Sequence, residues 1–304
     1  MNSVDLKKLI VIAGPTAVGK TELAIKIAEQ FQAEILSADS RQFYREMSIG
    51  TAKPSDEELG RVKHHFVNSL SVNQEYSAGD FESEALAVLE GIFKHKEFAV
   101  LVGGSGLFIK AVTEGFDDLP KADTGIREHL NAIYTEKGIV PLQEQLRDLD
   151  PDYYQKADIN NPQRVIRALE VSLSTGLPFS SFRVQNKKER PFSIIKIGLN
   201  TNREFLYNRI NERVDMMIKS GLVEEVRDLL PLRNLNALNT VGYSEIFEFL
   251  DHKITMLEAI EAIKQNTRRF AKRQLTWFRK DTEIKWFEPS QYPEIIDYIN
   301  DLSL

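Results

Sequence analysis

A short apolar run, Leu9 to Ala13, passes directly into Gly14, Pro15, Thr16, Ala17, Val18, Gly19, Lys20 and Thr21, and a helix-patterned stretch follows (Leu23, Ile25, Ile27, Ala28, Phe31). A buried strand that feeds a glycine turn and then a helix leaves few folds open, because the strand needs parallel neighbours and the helix must cross back over them. The spacing G-x4-G-K-T adds chemistry to that geometry. Backbone N–H groups of the turn and of the helix start aim at one point, Lys20 adds charge, and the Thr21 hydroxyl is placed to ligate Mg²⁺. The segment predicts a phosphate cradle but does not say whose phosphate it holds.

Further β-branched runs occur at Ile35–Ser37, Phe98–Val102 and Ile194–Leu199, with helical patterns between the first three. This alternation predicts an α/β fold: a P-loop NTPase-like parallel sheet core flanked by helices. Residues 115–191 are too polar and too helix-patterned to be sheet. They predict an inserted all-helical domain with helices over Ala122–Glu136, Pro141–Leu149 and Pro162–Leu173, punctuated by Gly138, Asp150-Pro151 and Gly176-Leu177-Pro178. The core then comprises residues 1–114 and 192–304. Its second part carries predicted helices at Arg203–Lys219, Leu222–Leu230, Ser244–Leu250 and Thr255–Phe278, and an edge strand at Glu283–Phe287.

With no cysteine, disulfides, thiolate zinc sites and a cysteine nucleophile are excluded, and the five histidines lack metal-ligand spacing. Any metal is therefore expected to be Mg²⁺ carried by a phosphate. No apolar run approaches the roughly 20 residues that span a bilayer, and the N-terminus lacks a signal-peptide layout, so the expectation is a soluble, cytoplasmic protein without membrane contact. The net charge of −6 argues against indiscriminate coating of nucleic acid. Yet Lys264 to Lys280 holds seven basic side chains and no acid. Lys264, Arg268 and Lys272 recur at i, i+4, with Arg269 and Arg273 beside them, which predicts a positive helix face near Trp277 and Phe278.

Asp39 follows the second predicted strand and belongs at the carboxyl edge of the sheet, beside the phosphate loop, where ligands of open α/β sheets bind. A carboxylate there can hold a Mg²⁺ water, accept a proton from a nucleophile or cap the next helix. Ser40, Arg41 and Gln42 supply donors next to it. The third strand ends in Gly103-Gly104-Ser105-Gly106, where an ATPase would place an aspartate. These glycines read as room for a substrate to approach the backbone. Gln163, Arg164 and Arg167 fall within one turn at the start of a predicted helix, and their amide and guanidinium groups suit bases and phosphates. Arg203, Arg209, Arg213 and Lys219 line a later helix in the manner of a lid over an anionic leaving group.

Taken together, the motifs resemble the tRNA dimethylallyltransferase family over nearly the whole chain. They are GPTAVGKT at 14–21, SADSRQFYREMSIGTAKP at 37–54, HHF at 64–66, YSAGDF at 76–81, GGSGLFIKA at 103–111, NPQRVIRALE at 161–170, VGYSE at 241–245 and QNTRRFAKRQLTWFR at 265–279. The resemblance implies transfer of a dimethylallyl group from dimethylallyl diphosphate to N6 of the tRNA adenosine immediately 3′ of the anticodon, with release of diphosphate. It assigns the prenyl diphosphate to Gly14–Thr21, Mg²⁺ to Thr21, the general base to Asp39, and leaving-group stabilisation to Lys20 and Arg213. It further implies anticodon-arm contacts from Asp39, Ser40, Arg41, Gln42, Ser105, Arg127, Gln163, Arg164, Val165, Ile166 and Arg167, with the adenine extruded between core and insertion. Arg268, Arg269 and Arg273 of the basic helix complete the expected RNA surface.

Ser105 stands where the family more often has threonine, and the cysteine-and-histidine finger of eukaryotic relatives is missing, as in the shorter bacterial form. A monomer is expected. The competing readings are an ATP-dependent small-molecule kinase, which would need a second carboxylate for its metal, and a prenyltransferase acting on free adenine nucleotides, which would not need the basic helix. A non-catalytic RNA-binding protein would have no use for Lys20 and Asp39 together.

Overall fold

The computed structural model describes residues 7–117, 119–120, 123–183 and 187–303. The short apolar runs become the strands of one sheet: β1 (Lys8–Ala13), β2 (Glu34–Ser37), β3 (His64–His65), β4 (Phe98–Gly103), β5 (Ser193–Leu199) and β6 (Lys285–Phe287). Their order is β3-β2-β4-β1-β5-β6, and every neighbouring pair is parallel. β1 lies between β4 and β5 and is buried at all six positions. That is why it reads as an unbroken apolar run. Its one polar residue, Lys8, lies at the strand start, where its ammonium reaches the Glu97 carboxylate at 2.9 Å.

Helices cover both faces of the sheet. The Lys20–Gln30 helix buries Leu23, Ile25 and Ile27 against Ile10 and Ile12 on one face, and the Ala78–Phe93 helix packs Phe81, Ala85 and Leu89 against Leu9 and Val11 on the other. Full burial of each large apolar side chain among them is worth about 1.5–3 kcal/mol before chain entropy is counted. A third cluster joins the helices Arg203–Lys219, Leu222–Asp228, Tyr243–Leu250 and Met256–Phe278. Because all strands run the same way, Gly14, Asp39 and Gly104 emerge at one edge of the sheet. Register fixes their spacing, since Ala13 pairs with Gly103 and Ser37 with Val102.

The chain divides into two compact units, residues 1–114 with 189–304, and residues 115–188. The second is helical: Thr124–Lys137, Val140–Leu149, Pro151–Lys156 and Pro162–Thr175 surround a core of Leu130, Leu142, Leu146, Val165 and Leu169. Asp123, Asp150 and Asn161 cap helix starts through their side-chain oxygens.

The two-residue β3 is too short to carry a period-two pattern, and the helices Pro151–Lys156 and Tyr292–Asp301 are additions to the elements that periodicity predicts. Ala122, the predicted start of the first inserted helix, lies outside the described residues. No helix among the described residues is long and apolar enough to cross a membrane.

Candidate active site

The phosphate loop owes its shape to three backbone conformations. A Cβ on Gly14 would stand 2.6 Å from the Leu199 carbonyl oxygen, so only glycine lets the loop pass the end of β5. Ala17 (φ 64°) and Gly19 (φ 105°) are left-handed and turn the chain into the Lys20–Gln30 helix. Gly19 offers no side chain to cap that helix, which leaves the first-turn N–H groups facing outward. The N–H groups of Ala17 to Thr21 donate to no protein acceptor among the described residues.

Three members of the expected cradle do other work. Pro15 has no N–H, and its carbonyl accepts a hydrogen bond from Lys20 Nζ at 2.7 Å. The Val18 side chain is buried in the core, and the Thr16 N–H donates to Gln274 Oε1 at 2.8 Å. The open donors are therefore those of residues 17–21.

Charge is concentrated behind this loop. Burial pulls the Lys20 amine down to about 7; the Asp39 carboxylate opposes that shift and Arg213 reinforces it. The Arg213 guanidinium is likewise held below its ordinary value by burial, against the pull of Asp39. Two half-buried basic groups thus face one carboxylate, an imbalance that an anionic ligand would relieve. Arg213 also donates to the Thr16 hydroxyl at 3.3 Å. Arg203 stacks on Tyr207 and lines neither cavity; Arg209 lies over Phe205 with its guanidinium beside Gly19; Arg213 alone of the three bonds a loop side chain, which ranks it first.

Asp39 is not a helix cap, since the residues after it form turns. Its Oδ1 accepts the Arg41 N–H at 3.0 Å, and Oδ2 has no protein donor among the described residues. Ser105 Oγ accepts the Ser40 N–H at 3.1 Å, which fixes the position of that loop across the sheet edge. Gln42 is fully engaged: it accepts from Ser37 Oγ and donates to the Thr51 and Ala52 carbonyls. These bonds hold the loop against the end of β2, and Gln42 also lines the larger of the two cavities that meet at Asp39.

Two cavities open on this carboxylate. The larger, about 610 Å³, is lined by Lys20, Thr21, Asp39, Arg209 and Arg213. The smaller, about 360 Å³, is bounded by Arg41, Ser105, Phe270 and Arg273, with Ile210 and Val214 as apolar wall. Both include Thr16, Asp39 and Arg213 in their walls. A chamber lined by the phosphate loop and a chamber bordered by the basic helix therefore meet at one carboxylate.

The β4 loop departs from expectation. A Cβ on Gly103 would overlap the Ala38 carbonyl oxygen, one on Gly104 would overlap Gln274 Nε2, and one on Gly106 would overlap Trp277 Nε1. The room made by these glycines is filled by the chain itself, chiefly by the Met256–Phe278 helix, and not left for substrate.

The basic helix also divides. Lys264 pairs with Asp215 at 2.8 Å and Arg268 donates to Asn211 at 2.7 Å, both toward the Arg203–Lys219 helix. Arg269, Lys272 and Arg273 are exposed and form the outward positive face. In the helical unit, Arg127 and Arg167 converge on the buried Glu170 at 2.9 and 3.0 Å, while Gln163 and Arg164 are exposed. Val165 and Ile166 are buried in that unit's core, which rules out RNA contact through their side chains. Gln274 lies inside the run of charges on the basic helix, and its contacts with Thr16 and Gly104, far away in the chain, left no local signal to single it out.

Fold and site define a P-loop α/β protein in which a phosphate loop with open N–H groups faces a carboxylate, Asp39, at the sheet edge, with no acid at the end of β4. The IPP transferase family model matches residues 42–281, and the chain belongs to that family. It is 58% identical to the tRNA dimethylallyltransferase of Christiangramia forsetii, covering 96% of this chain and 97% of the relative. Identity to the tRNA dimethylallyltransferase 1 of Bacteroides thetaiotaomicron is 50%, over 96% and 94%. Among solved structures it resembles the tRNA isopentenylpyrophosphate transferase of Bacillus halodurans, with TM-score 0.73, 36% identity and coverage of 98% and 97%. A eukaryotic dimethylallyltransferase crystallised acting on tRNA aligns with TM-score 0.77 at 26% identity, over 97% of this chain and 80% of that one.

Proposed function

We propose that this protein transfers the dimethylallyl group of dimethylallyl diphosphate to N6 of the tRNA adenosine immediately 3′ of the anticodon, releasing diphosphate. The observation that carries the reading is the meeting of two cavities at Asp39, one lined by the phosphate loop and the other bordered by the basic helix. The names of its relatives supply the substrate class.

The diphosphate sits on the open N–H groups of residues 17–21, where Lys20 and Arg213 neutralise the charge that develops as the C–O bond breaks. The adenine enters from the side of Phe270 and Arg273, with Ser105 and Arg41 at its edge. Adenine N6 is a weak nucleophile because its lone pair is delocalised into the ring, so Asp39 Oδ2 takes its proton as the new C–N bond forms. Carbon transfer and diphosphate departure then balance without ATP hydrolysis.

Mg²⁺ fits the site as a phosphate-carried ion. The described residues hold no cluster of three or more His, Cys, Asp or Glu side chains that could cage a metal. Mg²⁺ usually needs only one or two protein oxygens beside phosphate and water. Thr21 would supply one, and the ion would screen the diphosphate charge. Outside the core, Arg127, Gln163 and Arg164 are the helical unit's candidates for anticodon-arm contact, with Arg269, Lys272 and Arg273 on the basic helix.

Incubation with radiolabelled dimethylallyl diphosphate, Mg²⁺ and either unmodified tRNA or AMP tests the reading. Label is expected in tRNA alone. Label in AMP would favour a nucleotide prenyltransferase, and label in neither would return the site to phosphoryl transfer.

A further inference from the structure

The Met256–Phe278 helix carries the outward basic face, yet one of its side chains points the other way and ends at the phosphate loop. Gln274 is 7% exposed and uses both ends of its amide. Its Oε1 accepts the Thr16 N–H at 2.8 Å, and its Nε2 donates to the Gly104 carbonyl at 3.0 Å. A single amide thus ties the loop after β1 to the loop after β4, across residues far apart in sequence.

Two further observations show a seat shaped for this side chain. Any Cβ on Gly104 would overlap Nε2, so glycine there is what admits the amide. Two residues along, Gly106 admits the Trp277 ring in the same way. Thr16, in turn, lines both cavities, and its hydroxyl receives the Arg213 hydrogen bond. Loop, lid arginine and basic helix therefore share Thr16 as a common node.

We propose that Gln274 is a positioning residue for the diphosphate site: it fixes Thr16, and through Thr16 the Arg213 guanidinium, and so makes the geometry of the phosphate loop depend on the seating of the helix whose outer face meets RNA. Gln274 touches no reacting atom. Its amide satisfies the half-buried Thr16 N–H and the Gly104 carbonyl, which would otherwise be buried unpaired, and that loss is costly enough to let the loops sample other shapes. Arg273 and Gln274 are adjacent, so an RNA contact at one is felt at the other through a rigid helical turn.

The proposal rests on the functional reading above, but its first test does not. Affinity for inorganic diphosphate with Mg²⁺, measured by calorimetry, is expected to fall about tenfold in Gln274→Ala, with the thermal midpoint within a few degrees of wild type. Gly104→Ala, which expels the amide from the opposite side, is expected to reproduce the loss.

Gln274→Glu supplies a readout that a merely structural role would not move. The introduced carboxylate faces the Gly104 carbonyl when ionised and can donate to it when protonated. Its affinity relative to wild type at the same pH is therefore expected to recover as pH falls, whereas that of Gln274→Ala stays low. In transfer assays the variants are expected to raise KM for dimethylallyl diphosphate about tenfold and leave tRNA affinity within twofold.

Wild-type diphosphate affinity in folded Gln274→Ala would overturn the proposal. So would equal loss of tRNA and diphosphate affinity together with a large drop in thermal midpoint, or a pH-independent defect in Gln274→Glu. Absence of any transfer by the wild-type protein would count against the functional reading alone, because the calorimetric arms would still decide the role of Gln274.

Discussion

Two glycine-rich loops stand side by side at the carboxyl edge of the sheet, after β1 and after β4, and beyond Gly14, which packs against the end of β5, they use glycine for opposite ends. In the loop after β1, Gly19 and left-handed Ala17 turn the N–H groups of residues 17–21 outward and leave them without protein partners among the described residues. In Gly103–Gly106, glycine removes side chains so that Ala38, Gln274 and Trp277 can press against the backbone. One loop keeps its hydrogen-bonding capacity for a foreign ligand, and the other gives its free space to the protein's own packing. Glycine content alone does not distinguish a binding loop from a packing seat; what distinguishes them is whether another part of the chain arrives to fill the gap.

The contrast predicts that substitutions of groups facing the cavities cost activity or binding, and that substitution of Gly103, which meets backbone, costs stability. Gly104, which meets the Gln274 side chain, falls between. The largest effect belongs to Asp39→Asn, expected to lower transfer about 10²–10⁴-fold while tRNA and diphosphate binding persist, as measured by single-turnover kinetics beside binding assays. Wild-type turnover would remove Asp39 as the base. Next in size is Gly103→Ala. Its Cβ would meet the backbone of Ala38, so the strand ends must part, at a cost of about 3 kcal/mol read by denaturant unfolding. A thermally unperturbed Gly103→Ala that had lost activity would break the comparison.

A smaller effect separates Lys20 from the other loop residues. Its pKa of about 7 in the free protein must rise when a diphosphate binds, so binding above pH 7 takes up a proton. The affinity is fully present below about pH 7 and falls by up to tenfold per pH unit above it. Calorimetry in buffers of different ionisation enthalpy should detect that uptake in wild type and lose this component in Lys20→Met.

The smallest expected effect concerns the helix that fills the β4 loop. Replacing the exposed Arg269, Lys272 and Arg273 with alanine should weaken tRNA binding and make the slope of log affinity against log salt shallower by roughly 0.7–0.9 for each phosphate no longer neutralised. Replacing Arg268, which is tied to Asn211, should leave that slope unchanged. Equal slopes for both variants would mean that the outward face is not the RNA surface.

Much of this arrangement was legible in the amino-acid order. The strands β1, β2, β4 and β5, the Arg203–Lys219 helix and the loop around Lys20 each rest on local pattern: β-branched runs, helical periodicity and glycine spacing. What failed was whatever depended on a distant partner. The Gly103–Gly106 loop looked open because the side chains of Gln274 and Trp277 that fill it come from far along the chain. Val165 and Ile166 sat inside a polar motif, yet helical geometry turns them inward while Gln163 and Arg164 face solvent.

By itself, then, the sequence determined a parallel α/β core with a phosphate loop, a carboxylate at the sheet edge and a helical insertion, because hydrophobic periodicity and turn chemistry act over a few residues. Tertiary structure alone decided which of the arginines is tied to the phosphate loop, which basic residues face outward and which glycines are already occupied. Those outcomes turn on burial and on hydrogen bonds between residues far apart in the chain, and no local pattern encodes them.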